Sequence, residues 1–168
     1  SQIARRAGVS AALAHHYFGG KDDLIVATMR HLLGLFAGHV RERLKAAQGP
    51  RQRLSAIIAA SFTPDQLQPQ VMSSWLVFYA LAQASPRAAR LHRIYVRRLD
   101  DNLRLELKPL TGSAKEAARV AMSTAALIDG LYLRLALGNG PDSAVAAREI
   151  VERSEERRVG KECRSRWS

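Results

Sequence analysis

GVSAALAHHYFGGKDDL, residues 8–24, is a short, nearly uncharged helical segment framed by turn signals. Gly8 suits the positive φ of a tight turn, and Ser10 is a helix N-cap. Ala11 to His16 follow as a short helix. Lys21 opens a longer one, with Asp22 and Asp23 in the first turn, where the helix dipole favours negative charge. Ahead of the turn, SQIARR at residues 1–6 reads as another short helix with Ile3 and Ala4 inward, and Val9, Ala14 and Phe18 are expected to pack on Ile3. Two short helices around a glycine-bearing turn make a helix-turn-helix, whose second helix enters the major groove of DNA. A bare recognition helix suits that task. Ala11 and Ala12 allow close approach and contact with thymine methyl groups, and His15 and His16 reach bases or phosphates. Tyr17 and Lys21 suit phosphate contacts, which set register without reading sequence. With Ser10 and Leu13 these residues form the expected DNA interface. On this pattern alone a plain helical hairpin with solvated histidines stays open.

Outward from this unit the apolar residues recur at helical spacing and strand signals are scarce. The spacing predicts helices at about 21–47, 50–62, 70–84, 86–107, 113–137 and from Pro141 to about Arg153, with a two-proline connector over 63–69. The fold class is all-α. Arg90, Arg93, Arg97, Arg98 and Arg104, interspersed with Asp100, Asp101 and Glu106, read as a solvated, salt-bridged surface.

The chain has 168 residues, 47% of them hydrophobic, and a formal net charge of +11 with a pI near 10.8. So basic a balance favours a polyanionic partner, nucleic acid or an anionic surface. A single cysteine, Cys163, allows no internal disulfide. No apolar run approaches the ~20 residues of a membrane span, and no signal peptide is visible, so the expected location is cytoplasmic. Helical metal-carboxylate enzymes need Glu-x-x-His pairs, and these are absent. So are a phosphate-binding Walker loop and a GxSxG nucleophile elbow. The reading is of a non-enzyme, without cofactor or metal. A helical basic scaffold or membrane-surface protein is the rival class, and it leaves the helix-turn-helix unexplained.

IARRAGVSAALAHHYFGGKDDLIVATMRHLL (residues 3–33) resembles the DNA-binding signature of the TetR family of bacterial repressors. HYFGGKDDLIVATMRHLL (16–33), SSWLVFYALA (73–82), RIYVRRLDDNL (93–103) and ALIDGLYLRLAL (126–137) are together most similar to the family's choline-responsive branch, which governs glycine betaine synthesis. The resemblance spans about residues 1–151. It implies a homodimeric repressor of double-stranded operator DNA, with a small-molecule effector such as choline or betaine aldehyde, or a different small ligand. It also implies that a helical interface built from the last two long helices joins the protomers. Family members carry a further helix ahead of the motif and an aromatic residue at the position of His15. The DNA-binding unit, residues 1–26, is therefore expected to be truncated. Residues 27–153 are expected to form the ligand and dimerisation domain.

Trp75, Phe78 and Tyr79 share one helix face, and Asp129 and Tyr132 share another. A quaternary ammonium ion cannot donate a hydrogen bond, so aromatic faces and a carboxylate are what it needs. These five are the expected ligand residues, although an aromatic stripe at this spacing also suits plain core. SEERRVGKECRSRWS, residues 154–168, lacks the alanines of the preceding helix and is expected to be a non-native extension without function.

Overall fold

The computed structural model describes the backbone of residues 2–165 and the side chains of residues 4–160. Every regular element among them is helical: α1 (Gln2–Arg6), α2 (Ala11–Phe18), α3 (Lys21–Ala46), α4 (Gly49–Ser61), α5 (Pro69–Ala84), α6 (Pro86–Thr111), α7 (Ala114–Ala136) and α8 (Ala144–Ser165). Among the described residues no helix is long and apolar enough to cross a membrane.

Local chemistry explains the ends. Gly8 takes φ +69° in the turn before α2, and the Ser10 hydroxyl accepts a hydrogen bond from Leu13 N at 3.0 Å. Asp23 of α3 accepts from Gly20 N at 3.4 Å. Ser85 and Ser113 cap α6 and α7 in the same way, through Ala88 N and Glu116 N.

The core lies where α4, α5, α6 and α7 meet, with α3 and α8 laid against them. Phe78, Met29, Leu54, Ile57, Leu103 and Ile128 are fully enclosed there. Helix α3 extends about 39 Å at ~1.5 Å per residue. It packs on α4 and α5 and also on α2, so one helix links the two short N-terminal helices to the body.

Three expectations need correction. Helix α6 does not stop at Leu107. It passes through Pro109 and ends at Gly112, which adopts φ +66° and donates its N–H to Lys108 O at 2.9 Å. Proline removes the bond to the carbonyl of residue 105, and Leu105 lies on the exposed side of the helix, two-thirds accessible. Glu106 is not a surface charge. It follows Leu99 and Leu103 on the inner face, is 5% exposed, and accepts from Arg53 Nε at 2.8 Å. Of the acids expected on this surface, Asp101 pairs with Arg97 and Asp100 with Arg104, and Arg87 of the same helix pairs with Asp23 of α3.

The last helix does not fade at Arg153. Ser143 caps it, and Ala147, Val151, Glu155 and Val159 form one buried stripe at spacing four. Glu155 accepts from Arg51 of α4 at 2.5 Å, and burial pushes its carboxyl above the usual range despite that partner. Residues 154–160 are thus continuous with the bundle. Cys163 and Trp167 lie outside the described side chains.

Arg53→Ala should cost about 1–3 kcal/mol, because Glu106 is left buried without its partner while nearby solvent softens the loss. Urea unfolding checks this, and an unchanged midpoint would mean that Glu106 finds another donor.

Candidate functional site

The reading head presents the expected DNA residues to solvent. Ser10, Ala11, Ala12, Leu13, His15, His16, Tyr17 and Lys21 are all exposed. Tyr17 is the most open of the large apolar residues among those described, at 74%, and its ring meets His16 edge-on at 5.6 Å. Of the expected inner residues Ala4 is buried, but Val9 and Phe18 are 40% and 45% exposed. The expected packing of Val9, Ala14 and Phe18 on Ile3 rests on a side chain outside the described residues. A surface groove runs past Ala4, Val9, Phe18 and Leu24 instead.

In the body, four aromatic rings from three helices converge. Trp75 of α5 lies 4.8 Å from Tyr95 of α6, 5.5 Å from Tyr79 and 6.4 Å from Tyr132 of α7, centroid to centroid. Phe36 of α3, Ser61 and Gln66 complete the wall of a small cavity. Its free volume is about 10 Å³, room for no more than about one water. The box is therefore nearly filled by its own side chains. Tyr132 donates to the carbonyl of Ser61 and stacks on Phe62 at 6.0 Å, which ties the α4 terminus to α7. Trp75 Nε1 is buried and finds no acceptor among the described residues.

Three of the five expected ligand residues, Trp75, Tyr79 and Tyr132, line this cavity. Phe78 stands behind Trp75 at 6.1 Å, fully buried in the core. Asp129 also stands behind the wall and accepts from the Tyr79 hydroxyl at 3.3 Å. Burial raises its pKa. The Tyr79 hydrogen bond, the nearby His92 and the Tyr95 hydroxyl act the other way and offset part of that rise. Burial, and after it the Asp129 charge, push Tyr79, Tyr95 and Tyr132 above the ordinary phenol range. All three rings stay neutral at ordinary pH, and their faces are packed against one another and against Trp75 and Phe62.

Tyr95 and Phe36 were missed as box residues. Tyr95 sits among arginines in RIYVRR, yet it shares the inner stripe of Ala88, Leu99 and Leu103. That spacing was the available signal. Phe36 was legible as part of the inner face of α3, and nothing in its neighbours points to α6.

Comparison with known proteins fits both halves. Residues 1–28 match the family of bacterial regulatory proteins of the tetR family, and residues 50–159 match the family described as BetI-type transcriptional repressor, C-terminal. The chain is 49% identical to the HTH-type transcriptional regulator BetI of Brucella anthropi, over 90% of this chain and 78% of that one. It is 48% identical to BetI of Rhizobium meliloti, over 90% and 74%. Among solved structures it is similar to a transcriptional regulator from Pseudomonas aeruginosa PAO1, at 31% identity and a TM-score of 0.77, covering 96% of this chain and 81% of that one. A TetR regulator from Haloarcula marismortui shares the fold at a TM-score of 0.75 and 20% identity, over 95% and 84%. The chain belongs to the TetR family of transcriptional regulators, with a C-terminal domain of the BetI type.

Proposed function

We propose that this regulator represses, in the cytoplasm, the genes for making glycine betaine from choline, and that choline or betaine aldehyde is the effector that releases it. The observation that carries the effector reading is the aromatic box of Trp75, Tyr79, Tyr95 and Tyr132 with Asp129 behind it. Each ring face offers a cation roughly 0.5–2 kcal/mol. The carboxylate sets the sign of the field, and the unpartnered Trp75 N–H suits a ligand oxygen.

The repressor acts as a homodimer. Met122 and Leu133 of α7, Leu137 at its C-cap, and Val145 and Ile150 of α8 are apolar residues left 42–66% exposed in the single chain, and a partner's same helices would cover them. Two-fold symmetry then presents two α2 helices to half-sites about 34–36 Å apart.

The filled box supplies the switch. A cavity of about 10 Å³ must widen to admit a quaternary ammonium ion, and one of its walls is Phe36 on α3, the helix that links the reading head to the body. The ligand favours the widened arrangement because it binds only there. The test is titration with choline and betaine aldehyde in a Trp167→Phe background, following Trp75 fluorescence and operator release together. Saturable quenching with release is expected. Quenching without release would break the link, and no response in a folded dimer would leave a TetR-type repressor of another ligand.

At the DNA face, Tyr17→Ala and Lys21→Ala should weaken binding to all sequences alike, with Lys21→Ala reducing the salt slope by about one. Binding measured over a salt series on operator and scrambled duplexes checks this. A changed sequence preference would move these residues from phosphate to base contact.

A further inference from the structure

A second cavity lies outside the aromatic box. It is an open groove of about 660 Å³ between α3 and α6, a size that suits a small-molecule site. Its floor is apolar, with Leu33, Phe36, Val40, Leu91, Ile94 and Leu99 along it. Three charged side chains stand on its rim, and all are arginines: Arg30 and Arg41 from α3 and Arg98 from α6. None has an ion-pair partner among the described residues. Nearly every acid of the two helices is engaged elsewhere: Asp23 with Arg87, Glu42 with Lys45, Asp100 with Arg104, Asp101 with Arg97 and Glu106 with Arg53. The groove is therefore greasy inside and uniformly positive at its mouth. The residues from Arg30 to Leu44 give it a length on the order of 20 Å.

We propose that this groove binds a free, singly charged anionic amphiphile of the long-chain carboxylate class. The alkyl chain lies along the floor, and the carboxylate is held by the rim guanidiniums in charge-assisted hydrogen bonds. The charge complementarity excludes the ligand of the aromatic box, which is a cation. The proposed dimer covers α7 and α8 and leaves the groove open. The occupant would still reach the same machinery, because Phe36 and Tyr95 line both the groove and the box, and α3 carries the reading head. The proposal does not depend on choline being the effector.

Gly34 provides a clean control. It lies on the groove, and a Cβ added there meets nothing within 4 Å, so Gly34→Leu starts from open space, occupies the groove with an alkyl side chain and improves helix propensity. The experiment is calorimetric titration of the full chain with dodecanoate below its micelle concentration, beside dodecyltrimethylammonium and dodecanol. Dodecanoate should bind once per chain. Gly34→Leu should abolish that binding, and the triple variant Arg30→Gln, Arg41→Gln, Arg98→Gln should weaken it at least about tenfold. Equal binding of the cationic and anionic chains would overturn the proposal, as would dodecanoate binding that survives Gly34→Leu. So would protein captured by phosphatidylglycerol vesicles but indifferent to free dodecanoate. A dimer that falls apart on Gly34→Leu while dodecanoate never binds would assign the groove to a second copy of the chain instead.

Discussion

Replacing Asp129 by asparagine should raise the thermal midpoint of the ligand-free protein at neutral pH and remove its response to choline. The carboxyl is pushed above its ordinary value of 3.8, first by burial, against the pull of Tyr79, His92 and Tyr95. A raised folded-state pKa means that the native protein holds a proton the unfolded chain has already released. Stability therefore falls as pH rises from the unfolded value through the folded one, and the deficit stays at neutral pH. Asparagine carries no charge to desolvate, and its amide oxygen still accepts from the Tyr79 hydroxyl. The variant's midpoint should exceed the parent's at pH 7, and the two should converge towards pH 4 and below. Each kcal/mol gained is worth about 2–4 °C at this chain length. The functional sign is opposite. A cation beside the box favours the ionised carboxylate, so choline affinity in the parent should rise with pH through the same window, and in the variant it should be flat and at least about tenfold weaker. Thermal melts and calorimetric titrations over pH 4–8 measure both halves. A variant less stable than the parent at pH 7 would show that the Asp129 carboxylate is a net stabiliser, and an unchanged choline affinity would remove it from the ligand site.

The helices were readable because local signals agree with one another. Ser10, Ser85 and Ser113 sit where caps belong, and the structure uses each hydroxyl. The errors fall where packing outvotes a local signal. Pro109 is a strong stop in sequence, but one lost bond on an open helix face is tolerated and α6 gains another turn. Glu106 looks like one more surface charge, and only the approach of Arg53 from α4 makes its inward position affordable. Residues 154–160 differ in composition from what precedes them, yet Glu155 and Val159 keep the spacing-four stripe of Ala147 and Val151, and spacing decides which face is buried. Of the box, single-helix periodicity found Trp75, Tyr79 and Tyr132. It also drew in Phe78, because residues three apart share a face at this resolution of argument, whereas the cavity distinguishes the two sides of Trp75. That the box is nearly filled was not legible at all, since it depends on how near α3, α5, α6 and α7 come to each other.

Trp75 should separate stability from recognition. Its ring is 6% exposed and touches Phe78, Tyr79, Tyr95 and Tyr132, so Trp75→Ala removes the centre of the cluster. Large aromatic-to-alanine changes in a core cost about 3–5 kcal/mol, which is on the order of 10 °C in midpoint here and a large share of a typical stability of 5–15 kcal/mol. The alanine variant will therefore lose choline response and a good part of its fold together, and operator binding measured near its midpoint would mislead. Trp75→Phe divides the two. It keeps a ring in the cluster and deletes an N–H that has no acceptor among the described residues, whose burial itself costs about 1–3 kcal/mol. The loss of packing and the removal of that donor oppose each other, so its stability should stay within about 1.5 kcal/mol of the parent's. Indole is the strongest cation–π partner, and choline affinity should follow the order tryptophan, phenylalanine, alanine, while the phenylalanine variant binds operator as the parent does. Calorimetry replaces fluorescence here because the reporter is the residue removed. If phenylalanine binds choline as tightly as tryptophan, the ring is a structural wall of the box, and the face that meets the cation must be sought among Tyr79, Tyr95 and Tyr132.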